Sequence, residues 1–434
     1  MSKILDLTSK TLGEIEAIWE KTIRESNSSQ NRAKISKSVS KIISTVQKKG
    51  DTALINYAKK FDKTKITNFK FTEAEVNLAF KNADKKLVKS LETSLKRIEY
   101  YHQKQLPKME VRFKDKLGIE LGYRYTPIEK VCLYVPGGKY SYPSSVLMNA
   151  VPAIVAGVKN LFLTTPVRNN LPSNVVLVAA KVAGIKDIYK LGGVQAIAGF
   201  AYGTKSIPKV DLICGPGNAF VTEAKRQVFG DVGIDIIAGP SEVLIISDGC
   251  GDAKFVAVDL LSQAEHDEMA RSILITTSKK FAHSVEEQVS TLLNQYDKRK
   301  IATNAWAKNG RIFLVNSLEK ASYLANIIAP EHLEIILEEK SKKLGKDISN
   351  AGAIFYGDYT PEAFGDYLAG PSHVLPTSGT ARFFSGISVF TFLKRSSLIK
   401  ASKKGFTILT DDIISLAEEE GLVFHALSAK LRKK

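Results

Sequence analysis

Along the first hundred residues the apolar positions recur at helical spacing. Between Ser38 and Phe61, Val39, Ile42, Ile43 and Val46 form one stripe, which Ala53, Leu54 and Tyr57 resume. The break at Lys48-Lys49-Gly50-Asp51 suits a cap between two helices, and residues 11 to 105 read mostly as helix.

From about residue 119 the pattern changes to short apolar runs alternating with helical stretches. Lys130 to Val135 reads as a strand ended by Pro136-Gly137-Gly138, and Ser145 to Val158 as a helix. Asn160 to Thr165 is the next strand and Ser173 to Gly184 the next helix. Asp187 to Leu191 is a strand ended by Gly192-Gly193, followed by a helix over Val194 to Tyr202. Val210 to Cys214 is a strand ended by Gly215-Pro216-Gly217, followed by a helix over Asn218 to Phe229. Strand then helix, four times over, implies parallel βαβ units in a doubly wound sheet. The glycine turns fall at the carboxyl edge, where such sheets bind ligands.

A second α/β series follows. Strands are expected at Val243 to Ser247, Ser272 to Thr277, Gly310 to Val315, Leu333 to Ile336 and Ala353 to Tyr356. Helices are expected at Ala253 to His266, Ser278 to Tyr296 and Leu318 to Ile328. The tail from about 379 reads as irregular, closing with helices near Asp411 to Glu420 and Phe424 to Leu431. The fold class is therefore α/β: two Rossmann-like doubly wound domains with parallel sheets, a helical N-terminal region and a small C-terminal tail domain.

Charge changes this picture little. Lys+Arg number 62 against 45 Asp+Glu, a net +17, yet the lysines are scattered and no basic stripe interleaves with aromatics. A solvated lysine-rich surface is the reading, with no nucleic acid as partner. Met1 to Thr22 lacks the apolar core of a secretion signal, and Val146 to Val167 is broken by Asn149, Pro152 and Lys159, so no membrane span is expected. Cys132, Cys214 and Cys250 are far apart, which argues against a disulfide framework and a cysteine-based zinc site. A cytoplasmic protein is expected.

The chemistry must come largely from six histidines. His266 closes Asp259-Leu-Leu-Ser-Gln263-Ala-Glu-His266, where Gln263 and His266 share a helix face and could hold one side of a metal. A polar helix end in solvent accounts for the same pattern. Glu331-His332 sits at a helix-to-strand junction and offers two bases near neutral pH, or an ordinary polar turn. The segment Gly365 to Gly379, with Asp366 and His373, is too rich in glycine and proline for a mere connection. Glu420-Gly-Leu-Val-Phe-His425 places a carboxylate and an imidazole five apart near the terminus, where a surface histidine is the default. No G-x-G-x-x-G occurs. Gly215-Pro-Gly217-Asn218 has two of its glycines after a strand, which tight-turn geometry alone also explains.

Taken in order, these pieces resemble the histidinol dehydrogenases. The resemblance runs from about residue 30 to 432 through Val135-Pro-Gly-Gly138, Tyr142-Pro-Ser-Ser-Val-Leu-Met148, Gly215-Pro-Gly-Asn218, Gly239-Pro-Ser-Glu242, Asp259 to His266, Ala329-Pro-Glu-His-Leu-Glu334, Ala369-Gly-Pro-Ser-His-Val-Leu-Pro376 and Glu420-Gly-Leu. It implies four-electron oxidation of L-histidinol to L-histidine via L-histidinaldehyde, the last steps of histidine biosynthesis, with one Zn2+ per subunit and NAD+. It implies that Gln263, His266, Asp366 and His425 hold the zinc, that Glu331 and His332 are the catalytic bases, and that Tyr134, Gln195 and Asn218 contact NAD. Ser241, His332, His373, Glu420 and the metal ligands would hold histidinol. It also implies a homodimer with shared active sites, His425 coming from the other subunit.

On that reading residues 1–30 form an N-terminal arm. Residues 31–128 and 238–378 form the α/β domain with the metal and catalytic residues, 129–237 the NAD-binding α/β domain, and 379–434 a tail reaching the partner. Three rivals remain at this point. A zinc hydrolase with the same ligands needs no nicotinamide. A nucleic-acid-binding scaffold binds DNA in a salt-sensitive way. A paralogue acting on another amino alcohol keeps fold, metal and NAD.

Overall fold

The computed structural model describes residues 3–26, 29–137, 141–237, 239–297, 300–337 and 340–433. Gly138 of the first glycine turn lies outside them. Two parallel sheets carry the fold, and a small antiparallel sheet joins the C-terminal segment to the middle of the chain.

The first parallel sheet has the order β6-β5-β4-β7-β8, from β4 (Lys130–Tyr134), β5 (Asn160–Thr164), β6 (Asp187–Tyr189), β7 (Leu212–Cys214) and β8 (Gly233–Ile234). The alternation of β4 explains its two-sided burial. Val131 and Leu133 enter one core, Cys132 and Tyr134 the other. Helices α4 (Glu73–Lys81), α5 (Lys85–Gln105), α6 (Pro143–Val155) and α7 (Asn174–Val182) fill the first core. The second takes α2 (Ser29–Lys49), α3 (Asp51–Tyr57), α8 (Gly193–Tyr202) and α9 (Ala219–Val228). Strand order reverses between β4 and β7, which opens a crevice at their carboxyl ends.

The second sheet has the order β1-β11-β10-β9-β12-β13, all parallel: β1 (Ile4–Asp6), β9 (Glu242–Ser247), β10 (Arg271–Thr276), β11 (Arg311–Leu314), β12 (His332–Ile336) and β13 (Ala353–Tyr356). Every residue of β9 and β12 is buried, the mark of strands covered on both faces. Leu244 and Ile246 face α1 (Leu12–Ser26), α13 (Leu318–Ile328) and α14 (Ser341–Gly345). Val243 and Ile245 face α10 (Ala253–Ala264), α11 (Lys279–Tyr296) and α12 (Ile301–Asn309).

Three features differ from the sequence reading. The N-terminal segment supplies β1, an edge strand, as well as a helix. The helices of segment 31–128 pack on the five-stranded sheet, α2 on α8 and α9, α4 on α7, and α5 on α6, while α5 also reaches the catalytic segment, Ser94 Oγ donating to the Tyr367 carbonyl at 2.6 Å. The apolar faces of α2 and α5 are matched to that sheet's cores, with Val39 and Ile98 fully buried there. The tail is more regular than expected. β14 (Leu393–Lys400) pairs antiparallel with β3 (Glu120–Pro127), which pairs with β2 (Glu110–Lys114), and α16 (Lys403–Glu419) and α17 (Val423–Arg432) form a hairpin that packs chiefly on itself. Between the two parts lies the short helix α15 (Glu362–Tyr367). No helix among the described residues is long and apolar enough to cross a membrane.

Candidate active site

The site gathers at the amino ends of β9 and β12, adjacent strands in which His332 stands opposite Val243. The main chain of Glu242 is held from both sides. Its N–H donates to Glu331 Oε2 at 2.9 Å, and its carbonyl accepts from His332 Nδ1 at 3.2 Å. A carbonyl only accepts, so Nδ1 carries the proton and the tautomer is fixed. The other nitrogen, Nε2, then bears a lone pair. It is buried, without a hydrogen-bond partner, and 3.8 Å from Asp366 Oδ1. Burial lowers the His332 pKa, which keeps the ring neutral. A neutral imidazole aiming an unpaired lone pair into a buried site is poised to take a proton.

Carboxylates surround it. Glu362 Oε1 lies 3.8 Å from His332 Nδ1, and Glu331 Oε2 3.9 Å. Desolvation raises the Glu331 and Glu362 pKa values, and the neighbouring carboxylates add to both. Gathering so many acids out of water is costly unless a cation joins them. His266, Glu362 and Asp366 offer one ligand atom each within 4.8 Å of one another. Gln263, 1% exposed, completes this face. With its amide nitrogen toward Glu362 it donates to Oε1 at 2.9 Å and Oε2 at 3.2 Å. Nitrogen and oxygen donors of this kind suit zinc.

Local structure positions each group. Helix α10 ends at Ala264, two residues earlier than its sequence suggested, so His266 sits on the following turn, with its N–H donating to Gln263 O at 3.3 Å. Glu334 Oε1 accepts the N–H of Glu362, the first residue of α15, at 2.7 Å. Glu334 in turn shares a hydrogen bond with Asp259, and burial lifts Asp259 to about 6. His373 Nδ1 donates to the Asp366 carbonyl at 3.1 Å, and Ser145 Oγ, on α6, donates to its Nε2 at 3.2 Å. His373 thus ties the catalytic segment to the helix that opens the other parallel domain. Ser241 immediately precedes β9, its carbonyl taken by Arg271 N–H at 3.0 Å.

Glu420 and His425 do not join this cluster within one chain. Both are exposed, at the end of α16 and on α17. Glu242, Glu334 and Glu362 were given no role from sequence. Glu362 alone had a usable signal, since it precedes Asp366 by one helical turn and so shares its face. Glu242 closes a motif already noted, and its side chain pairs with Arg271 at 2.6 Å and accepts from Ser378 N–H at 3.1 Å.

Tyr134, Gln195 and Asn218 each lie at or just beyond the carboxyl end of a strand of the five-stranded sheet. Tyr134 ends β4, and its hydroxyl accepts from Gly193 N–H at 3.0 Å. Gln195, one turn into α8, is 2% exposed and donates to Asp62 Oδ2 at 3.4 Å. Asn218 caps α9, its Oδ1 accepting from Phe220 and Val221 at 3.0 and 3.1 Å. Glycine is required beside them. A side chain at Gly215, whose φ is +117°, would collide with the Tyr134 carbonyl, and one at Gly217 with Val221. Glycine turns at the switch point of a doubly wound sheet fit a dinucleotide.

Asp62 was not anticipated there. Half-buried, it has its pKa raised to about 6 by desolvation, which Arg168 partly offsets. Its ordinary value is 3.8, so the folded protein binds the proton more tightly than the unfolded chain. The contribution of Asp62 to stability is then largest below about pH 4 and is lost as pH rises through 6. Asp62→Asn is expected to raise the melting temperature by about 1–2 °C at pH 8, after screening is allowed for. The gain should fade as pH falls towards 4 in parallel thermal melts. A gain independent of pH would contradict the assignment.

The family model described as Histidinol dehydrogenase matches residues 25–433. A histidinol dehydrogenase of Clostridium acetobutylicum is 47% identical over 414 residues, 95% of each chain. One of Gluconobacter oxydans is 48% identical over 400 residues, 92% of this chain and 93% of the relative. The crystal structure of histidinol dehydrogenase from Elizabethkingia anophelis superposes with a TM-score of 0.87 at 37% identity, covering 91% of each chain.

Proposed function

The chain belongs to the histidinol dehydrogenase family and is an oxidoreductase acting on histidinol in histidine biosynthesis, and from that premise we propose that it works with zinc and NAD, in two oxidations through L-histidinaldehyde. The observation that carries the proposal is the buried, unpartnered Nε2 of His332 beside the ligand cluster His266, Glu362 and Asp366.

His266 and Asp366, with Gln263, would hold the zinc, and Glu362 lies close enough to join or to orient them. Bound there, zinc would fix the substrate by coordinating its imidazole and amino nitrogens. NAD, held near Tyr134, Gln195 and Asn218, would accept a hydride in each oxidation. The protein's own groups do the rest. His332 Nε2 takes the hydroxyl proton as the carbon is oxidised to the aldehyde. Glu331, whose proton affinity burial raises, takes a proton from the water that adds to that aldehyde. The hydrated aldehyde is then oxidised to the carboxylate. Ser241, His373 and Glu420 would contact histidinol. Retaining the aldehyde in the buried site protects it from side reactions.

One ligand, His425, and one substrate contact, Glu420, would come from the other subunit of a homodimer. The hairpin that bears them supports this, because it exposes Leu416, Val423, Phe424 and Leu431 at 68%, 72%, 82% and 61%. Three free cysteines suit the reducing cytoplasm, where we place the reaction.

The direct test is absorbance of NADH from purified protein, L-histidinol, NAD and zinc, read to completion. Two NADH per histidinol are expected, as two hydride transfers require, and excess chelator should abolish them. A yield of one would remove the second oxidation, and full activity in chelator would remove the metal.

A further inference from the structure

The crevice at the switch point contains a charge pair that the reaction does not use. Lys225, on α9, and Asp235, just after β8, form an ion pair with side chains 3% and 0% exposed. Both grip the same residue. Asp235 Oδ2 accepts the N–H of Gly215 at 2.7 Å, and Lys225 Nζ donates to the Gly215 carbonyl at 2.9 Å. Gly215 is the residue with φ +117° that passes against the Tyr134 carbonyl at the end of β4. Three segments, the end of β7, the helix α9 and the exit of β8, are thus pinned to one residue.

We infer that Lys225 and Asp235 are positioning residues that set the Gly215-Pro-Gly217-Asn218 turn for a dinucleotide, an inference that rests on the NAD reading above. A buried ion pair is a poor source of stability, since apolar residues of similar size would serve as well or better. It supplies directionality. One partner fixes the N–H of Gly215 and the other its C=O, which apolar side chains cannot do.

The same bonds say how the nucleotide is held. A phosphate-cradling glycine turn works by offering free amides. Here the Gly215 N–H is taken by Asp235, and those of Phe220 and Val221 by Asn218. Recognition falls to the remaining amides of the turn, those of Gly217, Asn218 and Ala219, and to side chains such as Tyr134 and Gln195.

The test is NADH binding, followed by nucleotide fluorescence, in the zinc-loaded protein. The double variant Lys225→Met with Asp235→Leu removes both charges together and is expected to melt within a few degrees of wild type. Its NADH Kd and KM for NAD should rise about ten-fold, while KM for histidinol stays unchanged. Asp235→Asn keeps an acceptor for the Gly215 N–H and should stay within about three-fold of wild type, where Asp235→Ala should not. This second pair decides the matter if the double variant does not fold. Lower melting temperature with unaltered NADH binding would make the pair merely structural and overturn the inference. Wild-type protein that oxidises nothing with NAD and does not bind NADH would overturn the NAD reading itself, and the inference with it.

Discussion

His332→Asn is expected to fold, to bind substrate and metal, and to turn histidinol over about a thousand-fold more slowly than wild type. Asparagine can still donate from its amide to the Glu242 carbonyl, the bond that His332 Nδ1 makes at 3.2 Å. It has no lone pair where Nε2 points, so the proton acceptor is lost and little else. The loss should fall on kcat, with KM for histidinol moving only a few-fold, because the imidazole's contribution is realised in the transition state. With proton removal so impeded, steady-state turnover should report chemistry and lose any burst of NADH. A kcat within ten-fold of wild type would assign the proton to another group. Glu362, 3.8 Å from the same ring, would be the next candidate.

The second large effect concerns His425. His266→Ala and His425→Ala are each expected to abolish activity, His266 being one of three clustered donor groups and His425 the proposed ligand from across the dimer. If the site is shared between subunits, random reassortment of the two variants makes half of the dimers mixed, each with one site intact. About a quarter of wild-type activity should then return after subunit exchange. If each chain completed its own site, every site would keep one defect and mixing would restore nothing. Metal content measured alongside should rise with activity, which separates restored ligation from better folding.

Much of the architecture is legible in the sequence, and the parts that are not share a cause. The βαβ series from Lys130 to Val228 follows the expected order because its strands are short apolar runs with buried carboxyl ends, three of them closed by glycine turns. The antiparallel sheet escapes notice because its strands lack that contrast. In β14, six of eight residues are exposed, and the pairing with β3 joins segments far apart in the chain. β1 is three residues long and gains its identity only from β11. In the site, Gln263, His266, Glu331, His332, Asp366 and His373 come together within one chain although their motifs lie far apart in it. Glu242, Glu334 and Asp62 do not announce themselves, because a carboxylate looks like surface until the fold removes its water.

β1 has one more consequence, in time rather than in space. Ile4 is made 308 residues before its partner Ile312. At about 5–20 residues per second, roughly 15–60 s separate their arrival. For that interval β1 has no edge to join, and β12 and β13 are made later still than β11. A bulky or charged substitution in β1 would act on this late pairing, and slow folding at birth would be its first symptom.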